Sequence, residues 1–321
     1  MDFSISKLVS RKRHGRATHS AAGARISPTP RSFFFLSVLL FLVKVMARLS
    51  ITVTLLVLLF ASSISVSSQP PTNLKTNPNL AVTNSGSWKV IQKGVEFRTL
   101  ALERSEPSLS IDLKLLRFDM HWIVPRVLRS AQFQLKGATA KTFAEKSGAL
   151  ATINANYFDT EGKPLAFLKI ASQAINARIA KTSLYTGIFS IKDQRPLISH
   201  RDDFLPEQAD EGLQCGPLLL LHGTAQPITG VPSRASRRAL IGIGQEQRLV
   251  IAVTDSLLGG LHWPELQEIF SATPWQIQVT DLLNLDGGGS AQLYVKAGKF
   301  EEIVAGTAEV PVAIGFFSRA N

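Results

Sequence analysis

The chain has 321 residues and a formal net charge of +11, but that charge is concentrated at one end. Residues 1–68 hold nine Lys or Arg against one acid, whereas the rest holds 26 basic and 23 acidic residues. The body therefore lacks the charge excess of a nucleic-acid binder, so no nucleic-acid partner is expected, and a single cysteine, Cys215, excludes an internal disulfide.

In chain order, FFFLSVLLFLV (33–43) and LSITVTLLVLLF (49–60) come first, two apolar runs of signal-peptide length separated by KVMAR. Read from Met46, a short charged segment, an apolar run and the small, polar ASSISVSSQ follow in the order of an export signal. This predicts a leader over 1–68 with the true start at Met46, the upstream 45 residues being an over-extended reading frame. The protein is therefore expected to be periplasmic or secreted. The rival reading is a membrane anchor, since the two runs could form one interrupted span, with membrane association through an uncleaved leader.

QPPTNLKTNPNLAVTNSGS (69–87) has no apolar period and reads as a linker. From Trp88 short strands take over, among them LSIDLKLLRF (109–118), where Leu109, Ile111, Leu113 and Leu115 alternate as a half-buried strand would. A helix is predicted over 139–146, capped by Thr139 and stopped by Gly148. ALATINANYFD, LAFLKI, LYTGIFSIK, LQCGPLLLLHG, RALIGIG and RLVIAVTDS read as strands with their turns, and DDFLPEQADEG as an acidic loop. Cys215 lies in an apolar run and is expected to pack. A second helix is predicted over 264–270 with Pro264 at its first position. Strands outnumber helices, which predicts one α+β domain over 88–321, with a mixed-sheet core and a few packing helices.

NLDGGGSAQLYV (284–295) raises the main question. An Asp-Gly hairpin needs one or two glycines, and each glycine in ordered structure costs roughly 0.5–1 kcal/mol relative to alanine. Gly287, Gly288 and Gly289 therefore suggest close backbone approach, or an anion-binding nest of amides rimmed by Asp286 and Ser290. Two other strand ends carry polar groups: INANYFD, with Asn154, Asn156 and Asp159, and SRRALIGIG, with Arg237 and Arg238.

Taken in order, the aliphatic strand ending in Asn, the Gly-Pro before aliphatics, the Arg before a strand ending in Gly-Ile, the strand ending in Asp, the Pro-Glu-Leu helix and Asn-Leu-Asp-Gly-Gly-Gly-Ser resemble the phosphodiester glycosidase family over roughly 149–317. The resemblance implies an exported hydrolase that cleaves a sugar–phosphate diester in glycan or exopolysaccharide metabolism. It implies Asp286 as the catalytic carboxylate, Asp255 as a second acid, Arg238 as a phosphate clamp, Asn154 as an orienting group, and Gly287, Gly288, Gly289 and Ser290 as substrate-binding residues. The chain departs from the family pattern at Ala155 and Asn156, where glycines are usual, at Ala239, where Thr or Ser is usual, and at Asp255-Ser256 in place of Asp-Gly.

Plainer readings stand beside these. Asp286 could cap a turn, Arg238 could guard a strand start, and Asn154 could satisfy strand-end backbone groups. His121, His200, His222 and His262 lack metal-ligand spacing, so no metal or other cofactor is expected, with a cation at Asp286 left open. A non-catalytic glycan-binding protein and a phosphodiesterase that breaks the P–O bond are the competing functions.

Overall fold

The computed structural model describes residues 72–319, apart from 272 and 278, together with Met46. The predicted leader otherwise lies outside the described residues. Among the described residues no helix is long and apolar enough to cross a membrane.

The strands form three sheets. In the largest, strands Leu80–Asn84, Val95–Arg104, Leu109–Asp119, Arg248–Asp255, Ala239–Gly244, Val279–Asn284 and Leu218–Leu221 follow one another across the sheet, with shorter strands at its margins. A second sheet runs Arg195–His200, Gly187–Lys192, Glu211–Cys215, Leu168–Ile170, Gln173–Asn176. The third runs Phe300–Val304, Leu293–Ala297, Ala151–Asn154, Val312–Ser318, Ile123–Arg129. Pro125 and Pro196, which cannot donate to a ladder, both fall on edge strands.

The α+β class holds. The mixed sheet expected within it is instead antiparallel in every described pairing, because no helical crossover returns a strand parallel to its neighbour.

Residue parity explains the runs that read as wholly apolar. In the large sheet Ala239, Ile241, Leu249, Ile251, Val253 and Leu283 face a core shared with the other two sheets. Leu240, Val250, Ala252 and Leu282 face a second core on the opposite side. Both faces are covered, so alternation disappears. In the shared core Phe118 of the first sheet stacks on Phe316 of the third at 4.1 Å between ring centroids.

Two helices pack on this frame. Ala140–Ser147 begins where the Thr139 hydroxyl accepts the Thr142 amide and ends at Gly148, in the left-handed region, close to the predicted bounds. The second, Trp263–Ser271, starts one residue before the predicted Pro264. There the Glu265 carboxylate accepts the His262 amide at 2.8 Å, the reciprocal half of a capping box.

The predicted linker needs correction. Residues 72–73 and 80–84 are strands, and Leu74, Leu80 and Val82 are buried in the second core. Asn and Pro obscure this short apolar alternation in the sequence. The segment also clasps the second helix: the Lys75 and Thr76 amides donate to Glu268 at 2.7 and 2.8 Å, and Asn77 Nδ2 donates to Glu265 at 2.7 Å. Glu265 is buried and pairs with buried Arg104 at 3.0 Å. One carboxylate thus joins the first strands, the long hairpin and the helix.

Removing one member of a buried ion pair strands the other charge in a medium that cannot solvate it. Glu265→Ala is expected to lower unfolding free energy by about 3–5 kcal/mol in urea titrations. A loss below about 1 kcal/mol would mean that water solvates Arg104 in the variant.

Candidate active site

Asn154 ends a strand of the third sheet, Cys215 ends a strand of the second, and Asn284 ends a strand of the first. The chain leaves Asn284 for the third sheet through the glycine run and leaves Cys215 for the first sheet through Gly216. The three strand ends meet here and are joined by side chains.

Asn154, fully buried, donates from Nδ2 to the Asp286 carbonyl at 2.7 Å and accepts the Gln292 amide on Oδ1 at 3.0 Å. It therefore brackets both ends of the glycine loop. The Asp286 amide donates to the Ala155 carbonyl at 2.9 Å. Asn284 donates to the Gly216 carbonyl at 2.8 Å and to the Tyr157 hydroxyl at 3.2 Å, and that hydroxyl donates to Gly216 at 2.7 Å. The structure thus places Asn154 as the support of the loop, through contacts to backbone.

The three glycines have three distinct reasons. A Cβ on Gly287 would lie 2.7 Å from the Arg237 carbonyl oxygen, and one on Gly289 would lie 2.5 Å from Thr307 Oγ1. Gly288 instead adopts φ +59°, with only Ser236 Oγ at 3.9 Å from its Cβ position. Two amides are already engaged: Gly287 N–H donates to Asp286 Oδ1 and Gly288 N–H to the Arg237 carbonyl, each at 2.9 Å. The loop is a close-packed support first, and its capacity as an anion nest is correspondingly reduced.

Asp286 is mostly buried, and burial raises its carboxyl from 3.8 to about 6, against the opposing hydrogen bonds of the Ser290 hydroxyl and the Gly287 amide. Ser290 is thus placed on the carboxyl itself. Tyr157 and Tyr185, whose rings meet edge-on at 5.4 Å, lie within electrostatic reach of Asp286, as does buried Cys215. Burial, with the Asp286 charge adding to it, pushes the Tyr157 hydroxyl and the Cys215 thiol up, so both stay protonated and neutral.

Arg238 is buried and turned toward the second core. Its Nε donates to the Leu261 carbonyl at 2.9 Å, its Nη2 to the Arg234 carbonyl, and its guanidinium lies 4.8 Å from the Trp263 ring centroid. Arg237 points the other way and donates to the Ala291 and Ala305 carbonyls at 2.9 and 2.6 Å. Asp255 is exposed at the end of the strand beyond the arginine pair, with no direct link to Asp286. The structure therefore brings together Asn154, Asp286, Gly287, Gly288, Gly289 and Ser290. Asp255 stands apart, whereas Arg238, without a hydrogen bond to the carboxyl, lies against the loop, its Cδ 3.9 Å from the Gly287 Cβ position, within electrostatic reach of the Tyr157 hydroxyl. Tyr157, Tyr185, Cys215 and Asn284 join the site unpredicted. Two of them carried a signal: Tyr157, as the aromatic after a polar strand end, and Asn284, as the first residue of the Asn-Leu-Asp-Gly-Gly-Gly-Ser motif. Among the described residues no group of three or more His, Cys, Asp or Glu side chains is placed to hold a metal ion.

Two outcomes follow from this geometry. Gly287→Ala forces backbone apart and is expected to destabilise by about 1–3 kcal/mol or more, whereas Gly288→Ala meets open space and should lose only about 1–2 kcal/mol through its left-handed conformation. Denaturant titration of both variants, with the larger loss at Gly288, would contradict the packing described. The second concerns pH. The folded protein binds the Asp286 proton more tightly than the unfolded chain, so this group's stabilisation is complete below about pH 4 and is lost as pH rises toward 6. Asp286→Asn is therefore expected to gain stability over wild type by about 1–3 kcal/mol between pH 4 and pH 8. A pH-independent difference would show that the carboxyl is solvated.

The phosphodiester glycosidase family model matches residues 147–317, more than half of the chain. No curated protein sequence matches it. Among solved structures, the chain is similar to a hypothetical protein from Synechocystis, with a TM-score of 0.57 and 16% identity over 74% of this chain and 65% of that one. It thus spans just under two thirds of that protein. The catalytic domain of zebrafish N-acetylglucosamine-1-phosphodiester alpha-N-acetylglucosaminidase, auto-inhibited by its pro-peptide, gives 0.52 and 14% over 78% of this chain and 87% of that one. A protein from Burkholderia pseudomallei described as exported gives 0.51 and 11% over 65% and 74%. At these identities the structural likeness is one of fold. The matched segment runs from the strand that carries Asn154 to the last strand of the third sheet and includes the whole glycine loop, and on that match the chain belongs to the phosphodiester glycosidase family.

Proposed function

We propose that the protein hydrolyses a sugar–phosphate diester at the sugar C–O bond, with Asp286 as the reacting carboxyl. The observation that carries this reading is a mostly buried carboxyl raised to about 6, with no cation paired to it among the described residues, on a hydrogen-bonded loop where three sheets meet. A group with that value changes protonation close to neutral pH, where proton transfer to or from a reacting centre is most effective.

The substrate class explains why one such carboxyl suffices. A phosphate monoester leaves as a stable anion, so the leaving oxygen needs less proton donation than an ordinary glycoside. Above about pH 6 the Asp286 carboxylate takes a proton from the water that attacks the anomeric carbon. The C–O bond breaks, the water oxygen stays on the sugar, and the phosphate departs with the bridging oxygen. Ser290 and the Gly287 amide hold the carboxylate in place. Tyr157 and Tyr185 offer an aromatic wall for the sugar.

Export is part of the same proposal. It is supported by the leader pattern and agrees with the exported description of the Burkholderia relative. A glycan or exopolysaccharide is then the natural source of the diester, and N-acetylglucosamine diesters, by analogy with the zebrafish relative, are the first substrates to try.

Asp286→Asn should lower kcat by about 10²- to 10⁴-fold while the protein stays folded. The wild-type rate should rise through a limb near pH 6 that the variant lacks. Hydrolysis in oxygen-18 water should put the label in the sugar. Label in the phosphate would mean P–O cleavage, and an unchanged rate in the variant would remove Asp286 from the chemistry.

A further inference from the structure

Arg238 and Arg237 each commit donors to carbonyl oxygens, which leaves room for a further cation at the phosphate. Residues 176–185, NARIAKTSLY, contain Arg178 and Lys181 and no acid. Both cations are exposed, and among the described residues neither has a carboxylate partner. The segment is nevertheless fixed. Gln214, fully buried and adjacent to Cys215, accepts the Ala180 amide at 2.7 Å and donates to the Ala180 and Tyr185 carbonyls at 2.7 and 2.8 Å. Arg201 donates to the Thr182 and Tyr185 carbonyls at 2.5 and 3.2 Å.

These pins place the segment beside the site. Arg178 Nη2 donates to the Leu165 carbonyl at 2.8 Å, and the Leu165 amide donates to the Tyr157 carbonyl at 3.1 Å. Tyr185, at the other end of the segment, meets the Tyr157 ring. The Tyr185 hydroxyl is within electrostatic reach of both the Asp286 carboxyl and the Arg178 guanidinium. A buried glutamine that satisfies three backbone groups of an exposed loop is a costly way to hold an idle loop, because each of its polar atoms had to be desolvated.

We propose that residues 176–185 form a fixed cationic strap that binds the phosphate of the diester, with Arg178 as the forked donor and Lys181 as the second charge. This inference rests on the reading of the site as a sugar–phosphate hydrolase. Anchored through one Nη2 hydrogen, Arg178 keeps the other Nη2 hydrogen, which with the adjoining Nε or Nη1 hydrogen forms a two-point edge for phosphate oxygens. Phosphate would lie on the strap and the sugar beside the tyrosines and Asp286.

The test uses the full chain and two readouts: calorimetric titration with inorganic phosphate, and KM for an aryl N-acetylglucosaminyl phosphodiester. Arg178→Ala is expected to weaken phosphate binding and raise KM about 10-fold, and the double variant with Lys181→Ala about 30-fold or more. Arg178→Lys should restore only part of the loss. Added salt should weaken phosphate binding to wild type more than to the double variant. Gln214→Glu, which keeps the acceptor, tests the pin, with its melting temperature as the folding control. Wild-type phosphate binding that is absent, or unchanged in the double variant, overturns the strap. Hydrolysis with unchanged KM in Arg178→Ala overturns it while leaving the hydrolase reading intact. Strap-dependent phosphate binding without hydrolysis by wild type would do the reverse.

Discussion

The site depends on the two hydrogen bonds of the Asn154 side chain. One amide group spans the Asp286 carbonyl and the Gln292 amide, at 2.7 and 3.0 Å, and so closes the glycine loop from the side of the third sheet. An amide is well suited to this task, since it offers a donor and an acceptor about two ångströms apart on one rigid plane. Everything downstream follows from it. The loop is held against the Arg237 carbonyl on one side and Thr307 on the other, which leaves no room for Cβ atoms at Gly287 and Gly289. The Asp286 carboxyl is then presented from a loop held by backbone hydrogen bonds on both sides.

The disposition of the arginines matters as much as that of the carboxyl. A guanidinium beside Asp286 would favour the carboxylate and pull its protonation well below neutral pH. Instead Arg238 donates to the Leu261 and Arg234 carbonyls, and Arg237 is tied to the Ala291 and Ala305 carbonyls. Burial then acts almost alone, opposed only by Ser290 and the Gly287 amide, and leaves the carboxyl near 6. In the proposed reaction, cations that attract the phosphate from a distance would do so without fixing the carboxylate.

The legibility of this arrangement in the sequence varied with the range of the interactions. Local features were readable: the Thr139 cap and Gly148 stop defined a helix almost to its bounds, and the triple glycine marked the loop. The strand Ile123–Arg129 was not recognised, because Pro125 interrupts it and only its edge position makes that harmless. Parity along the strand places Arg237 and Arg238 on opposite faces, but not which face lies over the site, since both sides of that sheet are apolar. Gln214 left no trace at all. Its partners lie 29 to 34 residues away, and a glutamine between Leu213 and Cys215 reads as an ordinary interruption of an apolar run.

The departures at Ala155 and Asn156 can be weighed on the same basis. Ala155 supports the site through its carbonyl, which accepts the Asp286 amide, and any residue supplies a carbonyl. A glycine there is therefore not needed for the bracket. Asn156 is different: its side chain is buried, its Nδ2 donates to the Tyr157 carbonyl at 3.1 Å, and its Oδ1 has no partner. A buried acceptor left unpaired costs about 1–3 kcal/mol, and here it lies next to the tyrosine that lines the site. The support of the glycine loop is thus indifferent to the change of sequence, whereas the surroundings of Tyr157 are not. Whatever distinguishes this protein's substrate from those of its relatives is more readily located at Asn156 than at the loop that holds Asp286.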